Sequence, residues 1–191
     1  MAARPFGGKR PGAVQARPRQ RVWSPWLRLM HWVLALAMMV GFVTHEGGGT
    51  VHETAGYVAW AVAMVRIVLG FFGSGYWHFG QFVRPIPATL RYARDVLAHR
   101  EARYLGHNPL GGWMVLLLLA DAVACGVTGW MATTDRFFGV AWVGNLHEAV
   151  GEALVPLLLF HLAGVAFTAW RHRENLVAAM LHGNKRAPDE V

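Results

Sequence analysis

The chain predicts an all-α fold, a membrane four-helix bundle with an amphipathic helix at the cytoplasmic interface. Three observations predict it. The composition is 54% hydrophobic with a mean hydropathy of +0.30, yet the net charge is +7 and the pI about 10.5. Apolar spans with basic margins combine these features; a soluble domain does not. Four apolar stretches, residues 25–44, 54–72, 111–131 and 149–170, are close to the roughly 20 residues that a bilayer crossing takes. Finally, Lys and Arg collect at one end of these stretches.

Residues 1–21 are rich in Arg, Pro and Gly, contain no acidic residue, and read as a disordered basic cytoplasmic tail. Pro5, Pro11 and Pro18 break the amphipathic helix that a mitochondrial presequence needs. Ser24 and Pro25 supply a cap and first turn for the first span. That span is too long for a signal-peptide core and is followed by no convincing cleavage site, so it is expected to remain as a helix. Glu46 to Thr50, with three glycines, makes a tight outer turn into the second span. Tyr76 to Arg84 is aromatic and is expected at the inner interface, where Trp and Tyr gather. Residues 86–103 set Ile86, Leu90, Ala93 and Leu97 against Arg91, Arg94, Arg100 and Arg103, the pattern of a surface-lying amphipathic helix. Asn108-Pro109 caps and starts the third span, Thr133 to Asn145 is the second outer loop, and residues 187–191 are a C-terminal tail.

Four crossings put both termini and the middle connection on one side. The basic residues from Arg4 to Arg21, with Arg84, Arg91, Arg94, Arg100, Arg103, Arg173, Lys185 and Arg186, all fall there, against Arg136 alone on the other side. Lys and Arg accumulate in the cytoplasm, so both termini are expected inside. These runs border membrane spans, which makes anionic lipid headgroups their partner rather than nucleic acid.

Ionisable residues within spans default to a functional reading, and four histidines stand out: His31, His52, His147 and His161. His52-Glu-Thr-Ala-Gly56 and His147-Glu-Ala-Val-Gly151 repeat one phrase. Fourteen residues separate His147 from His161, about 21 Å along a helix and on one face. Depth pairs His52 with His147 towards the outside and His31 with His161 towards the inside. The pairs are too far apart to share one zinc ion. Two imidazoles from facing helices are instead the axial set of a b-type haem, and bundle cores build cofactor sites this way. Gly56 and Gly151, four residues after a histidine on its own face, leave room for the ring, as does Gly164. The expectation is therefore two b-type haems, noncovalent and bis-histidine, since Cys125 is the single cysteine and no Cys-x-x-Cys-His motif exists for covalent attachment. His45 could compete with His52. His78, His99, His107, His172 and His182 read as interfacial or solvated. Two readings of Arg66 stay open, a cation for a haem propionate or a side chain snorkelling to headgroups. Asp121 reads as protonated or hydrogen-bonded at a helix contact, with coupled proton uptake as the alternative.

These residues resemble the prokaryotic cytochrome b561 family, related to the cytochrome b subunits of nickel–iron hydrogenases. The resemblance covers residues 21–186. It is carried by Arg28-Leu-Met-His31-Trp32, His52-Glu-Thr-Ala-Gly56-Tyr57, Gly106-His-Asn-Pro-Leu-Gly111, His147-Glu-Ala-Val-Gly151, and Glu174-Asn-Leu-Val-Ala-Ala-Met180 with Gly183. It implies that residues 22–186 form a dihaem transmembrane cytochrome b domain in a bacterial inner membrane, passing electrons between the quinone pool and a redox partner. Two functional classes remain open: a quinol-linked oxidoreductase, or a membrane anchor and electron conduit for a separate enzyme or a periplasmic c-type cytochrome. Asp121 departs from the family's usual apolar third span, so its role is not inherited.

Overall fold

The computed structural model describes residues 19–187. Among the described residues, four helices are long and apolar enough to cross a membrane: α1 (Pro25–Val43), α2 (Gly49–Phe72), α4 (Pro109–Ala132) and α5 (Ala141–Arg171). Two shorter helices, α3 (Ile86–Leu97) and α6 (Leu176–His182), lie between and after them. The all-α membrane bundle is what the sequence predicts. Close backbone packing runs from α1 to α2, α2 to α4 and α4 to α5. α1 and α5 complete the ring without packing of that extent.

The caps follow from the sequence. Ser24 accepts a hydrogen bond from Leu27 N at 3.2 Å ahead of Pro25, and Asn108 Oδ1 accepts one from Gly111 N at 2.7 Å ahead of Pro109. Each satisfies a donor the first helical turn would otherwise leave open. Small residues set the helix contacts. Ala55, Ala59, Ala63 and Gly70 line the buried stripe of α2, and the Trp60 ring lies against Gly126 of α4 so closely that a Cβ there would collide. Membrane helices approach through such residues because lipid offers no hydrophobic drive between them.

The aromatic stretch after α2 does not stay at the interface. Phe79 and Phe82 turn into the bundle and pack with Ala63, Leu119 and Ala122. Gly70 makes room for the Phe79 ring and Gly112 for Phe82, sites invisible without knowing which loop returns to which helix. α3 ends at Leu97, earlier than the amphipathic pattern through Arg103 predicts. His99 takes φ +55 and Arg100 N donates back to Asp95 O at 2.8 Å, a left-handed helix stop. α5 begins at Ala141, two turns before the expected start. Val140 at its N-cap provides no side-chain cap, so no sequence signal marks that end.

Two terminal segments meet at the basic end. Arg19–Arg21 (β1) pairs antiparallel with Asn184–Arg186 (β2), Gln20 opposite Lys185. These residues therefore leave the disordered tail that composition assigns to 1–21; residues 1–18 and 188–191 lie outside the described residues. Val22 N and Trp23 N both donate to Gly183 O, and Gly183 takes φ +87, which favours glycine. Val22, Trp23, Leu27 and Ala179 bury together under the ribbon, joined by Tyr76, Trp77 and Leu105.

Candidate functional site

The structure brings the four histidines together in the expected pairs. His52 on α2 faces His147 on α5 with ring centroids 5.8 Å apart, and His31 on α1 faces His161 on α5 at 6.4 Å. Two imidazoles bonded to one iron from opposite sides, at about 2 Å each, hold their ring centres about 6 Å apart, and both separations fit that span. Among the described residues no group of three or more His, Cys, Asp or Glu could hold a bare metal ion. A two-imidazole site suits an ion whose other ligands arrive with it, as a porphyrin's do.

Local structure fixes the outer pair. His52 Nδ1–H donates to the Gly41 carbonyl of α1 at 2.9 Å. His147 Nδ1 lies 2.9 Å from Thr128 Oγ1, and that hydroxyl gives its one proton to Ala124 O at 2.7 Å. The Thr128 oxygen must therefore accept from His147 Nδ1–H. Both rings are thus held with Nε2 as the free nitrogen, the usual way outer partners orient a metal-binding histidine. Gly129 completes this end, since a Cβ there would sit 3.1 Å from His147 Cε1. Thr128 and Gly129 were not legible in the sequence as site residues. Their only trace is that they fall on α4 at the depth of His147.

The inner pair is held differently. His31 Nδ1 is buried without a hydrogen-bond partner among the described residues, so packing rather than an outer acceptor sets the orientation of this ring. Close by, His107 is clamped between Trp23 at 4.9 Å and Phe82 at 4.7 Å. The expectation that it is interfacial or solvated is corrected here, because the return of Phe82 and the folding down of Trp23 enclose it. Burial pushes its pKa down to about 3, with Lys185, Arg66, His161 and His31 adding to the effect. Lys185, 6% exposed, lies with Nζ 5.6 Å over the Trp23 ring, and burial lowers it to about 8, opposed by Glu174. Arg66 is buried rather than snorkelling. It donates to Trp77 O at 3.1 Å and lies 5.0 Å over the Phe79 ring.

Glycine space fits the same reading. A Cβ on Gly56, Gly151 or Gly164 would meet nothing within 4 Å, so the face carrying the histidines has open room beside it. Asp121 is 7% exposed and its Oδ2 has no partner among the described residues. His45 is exposed, with Nδ1–H donating to Phe42 O at 2.6 Å, and is not part of either pair.

Helices that cross a membrane while facing one another with paired imidazoles define a haem-carrying membrane protein of the b type. The chain belongs to the prokaryotic cytochrome b561 family, whose model matches residues 22–183. It is 25% identical over 225 aligned positions to the "Probable Ni/Fe-hydrogenase B-type cytochrome subunit" of Rhodobacter capsulatus, covering 93% of this chain and 86% of that protein. Proteins of the same description are similar in Cupriavidus necator, at 28% identity over 72% of this chain and 66% of that protein, and in Azotobacter chroococcum, at 26% over 88% and 89%. No solved structure matches the chain. Membership makes the protein a multi-pass membrane b-type cytochrome of electron transfer, with haem b as its cofactor.

Proposed function

We propose that the chain holds two noncovalent haems, one between His52 and His147 and one between His31 and His161, and carries electrons across a bacterial inner membrane between the quinone pool and a redox partner. The observation that carries this reading is that α5 presents imidazoles to two different helices, 14 residues or about 21 Å apart. Each bound haem supplies a reversible one-electron change at its iron, tuned by axial ligands, hydrogen bonding and burial. The chain's own residues do the rest. Gly41 and Thr128 fix the tautomers of the outer ligands, Gly129 admits the His147 ring, and Gly56, Gly151 and Gly164 leave room for the macrocycle faces. Arg66 gives one N–H to Trp77 and keeps others for a propionate. The basic end, where β1 and β2 pair, faces the cytoplasm.

Purified protein should release two haems per chain into acidic acetone, counted by pyridine haemochrome. One haem, or haem that stays with the polypeptide, would overturn the assignment. A second reading, favoured by the hydrogenase subunit descriptions of the three relatives, is a membrane anchor and conduit for a separate enzyme or a periplasmic c-type cytochrome, without a substrate site of its own. Reduction of the isolated protein by a quinol analogue supports the first reading, and reduction only when a partner is present supports the second.

A further inference from the structure

We infer that the basic end of α5 carries a specific site for one anionic phospholipid. A groove of about 460 Å³ runs between α5 and α6, with Leu162, Ala166 and Ala169 on one side and Leu176 and Val177 on the other. From Leu162 to Ala169 it extends about 10 Å along the helix axis, the reach of the upper part of an acyl chain. Its mouth lies at the basic end of α5, beside Arg173. Trp170 is 73% exposed there, and Trp26 at the same end is 70% exposed, a placement characteristic of aromatic residues at the membrane–water boundary.

Charge selects the occupant. Of the basic residues around the mouth, Arg171 contacts Glu101 at 2.7 Å, Arg103 bonds Glu174 at 3.0 Å, and Arg186 donates to His172 O at 2.8 Å. Glu174, the one acid that lines the groove, is held by Arg103 and by Arg186 N at 2.8 Å. Asn175 is engaged as the cap of α6, accepting from Ala178 N. Arg173 remains as the exposed cation, with no carboxylate paired to it among the described residues. Its backbone is held at φ +48, a conformation uncommon outside glycine, at the turn that directs the chain from α5 into α6. An apolar trough ending at one unpaired guanidinium suits an acyl chain joined to a phosphate, and basic pockets between helices at a membrane face bind such headgroups. A quinone would fill the trough but would leave the cation unmatched.

The holoprotein, purified in mild detergent and exchanged with phosphatidylglycerol or phosphatidylcholine, tests this by native mass spectrometry. One phosphatidylglycerol per chain should be retained in preference to phosphatidylcholine. Arg173→Gln should cut that preference about fivefold, Arg173→Lys should keep most of it, and Ala166→Trp should expel the lipid by filling the trough. Unchanged haem spectra in all three variants exclude misfolding. Equal retention of the two lipids, retention of a quinone in place of lipid, or full preference in both Arg173→Gln and Ala166→Trp would overturn the site.

Discussion

The two ends of the bundle hold their histidine pairs by different physics. At the outer end, directional bonds do the work: Gly41 O and Thr128 Oγ1 each take a ring N–H. At the inner end the surroundings are aromatic and cationic, with Trp23, Phe82 and His107 packed beside Lys185 and Arg66, and His31 Nδ1 has no partner among the described residues. The outer rings are aimed by hydrogen bonds, whereas the inner pair is set in place by burial beside positive charge. Ring orientation should therefore be the sensitive quantity outside and charge the sensitive quantity inside.

The largest expected effect comes from removing a ligand. On the proposed assignment, His161→Ala should abolish the inner centre and spare the outer, and His147→Ala should do the reverse, because each centre would lose one of its two histidines. Low-temperature spectra with redox titration of the variants would show one remaining centre in each. Two normal centres in both would break the pairing.

Next comes Lys185→Met. Burial depresses the folded-state pKa of Lys185 to about 8 from the usual 10.5, so between these values the unfolded chain binds more protons and stability rises with pH. The penalty is fully present below pH 8 and fades towards pH 10.5. Met should therefore stabilise the protein at pH 7, by at most about 3 kcal/mol, and the advantage should shrink as pH climbs past 8. Thermal melts followed through haem absorbance at pH 7 and pH 10 would measure it, and a pH-independent difference would mean the ammonium is not the cause. With two haems bound, the same variant should lower the inner potential and leave the outer one in place, since a nearby positive charge favours the reduced iron.

Thr128→Ala should act more gently. The His147 ring would lose its acceptor but keep its helix position, and loss of an outer partner typically weakens metal binding ten- to hundredfold. Haem transfer to apomyoglobin should quicken for the outer centre alone. Thr128→Ser should restore the slow rate, which a purely steric role for the methyl group would not allow.

That much of the site was legible has a physical reason, and so does the remainder. The spans, the Ser24 and Asn108 caps and the histidine pairs are local or periodic, so helical geometry converts spacing directly into position. His107, Lys185 and Phe82 arrive from connections whose destination depends on long-range packing, and no spacing rule brings Trp23 to His107 across more than 80 residues. The β1–β2 ribbon has neither alternation nor β-branched residues to announce it. The start of α5 carries no such signal, because its N-cap, Val140, has no capping side chain.

The smallest effect concerns the outer rim, where that misplaced boundary changes the argument. Glu46, Glu53, Asp135, Glu148 and Glu152 are all exposed, and Arg136, the lone basic residue there, lies over the Phe137 ring. Acids at helix starts can be explained by the helix dipole, but that effect fades after the first turn. Neither α2 nor α5 has an acidic residue in its first turn, and Glu148 and Glu152 lie two and three turns into α5. The dipole does not account for this rim, and we propose it as a docking field for a partner with a basic face, such as a small c-type cytochrome. Complementary charge speeds encounter and is screened by salt. Stopped-flow oxidation of the reduced protein by such a cytochrome should therefore slow as ionic strength rises, and Glu148→Gln with Glu152→Gln should flatten that dependence. A rate indifferent to salt would remove the docking idea while leaving both histidine pairs untouched.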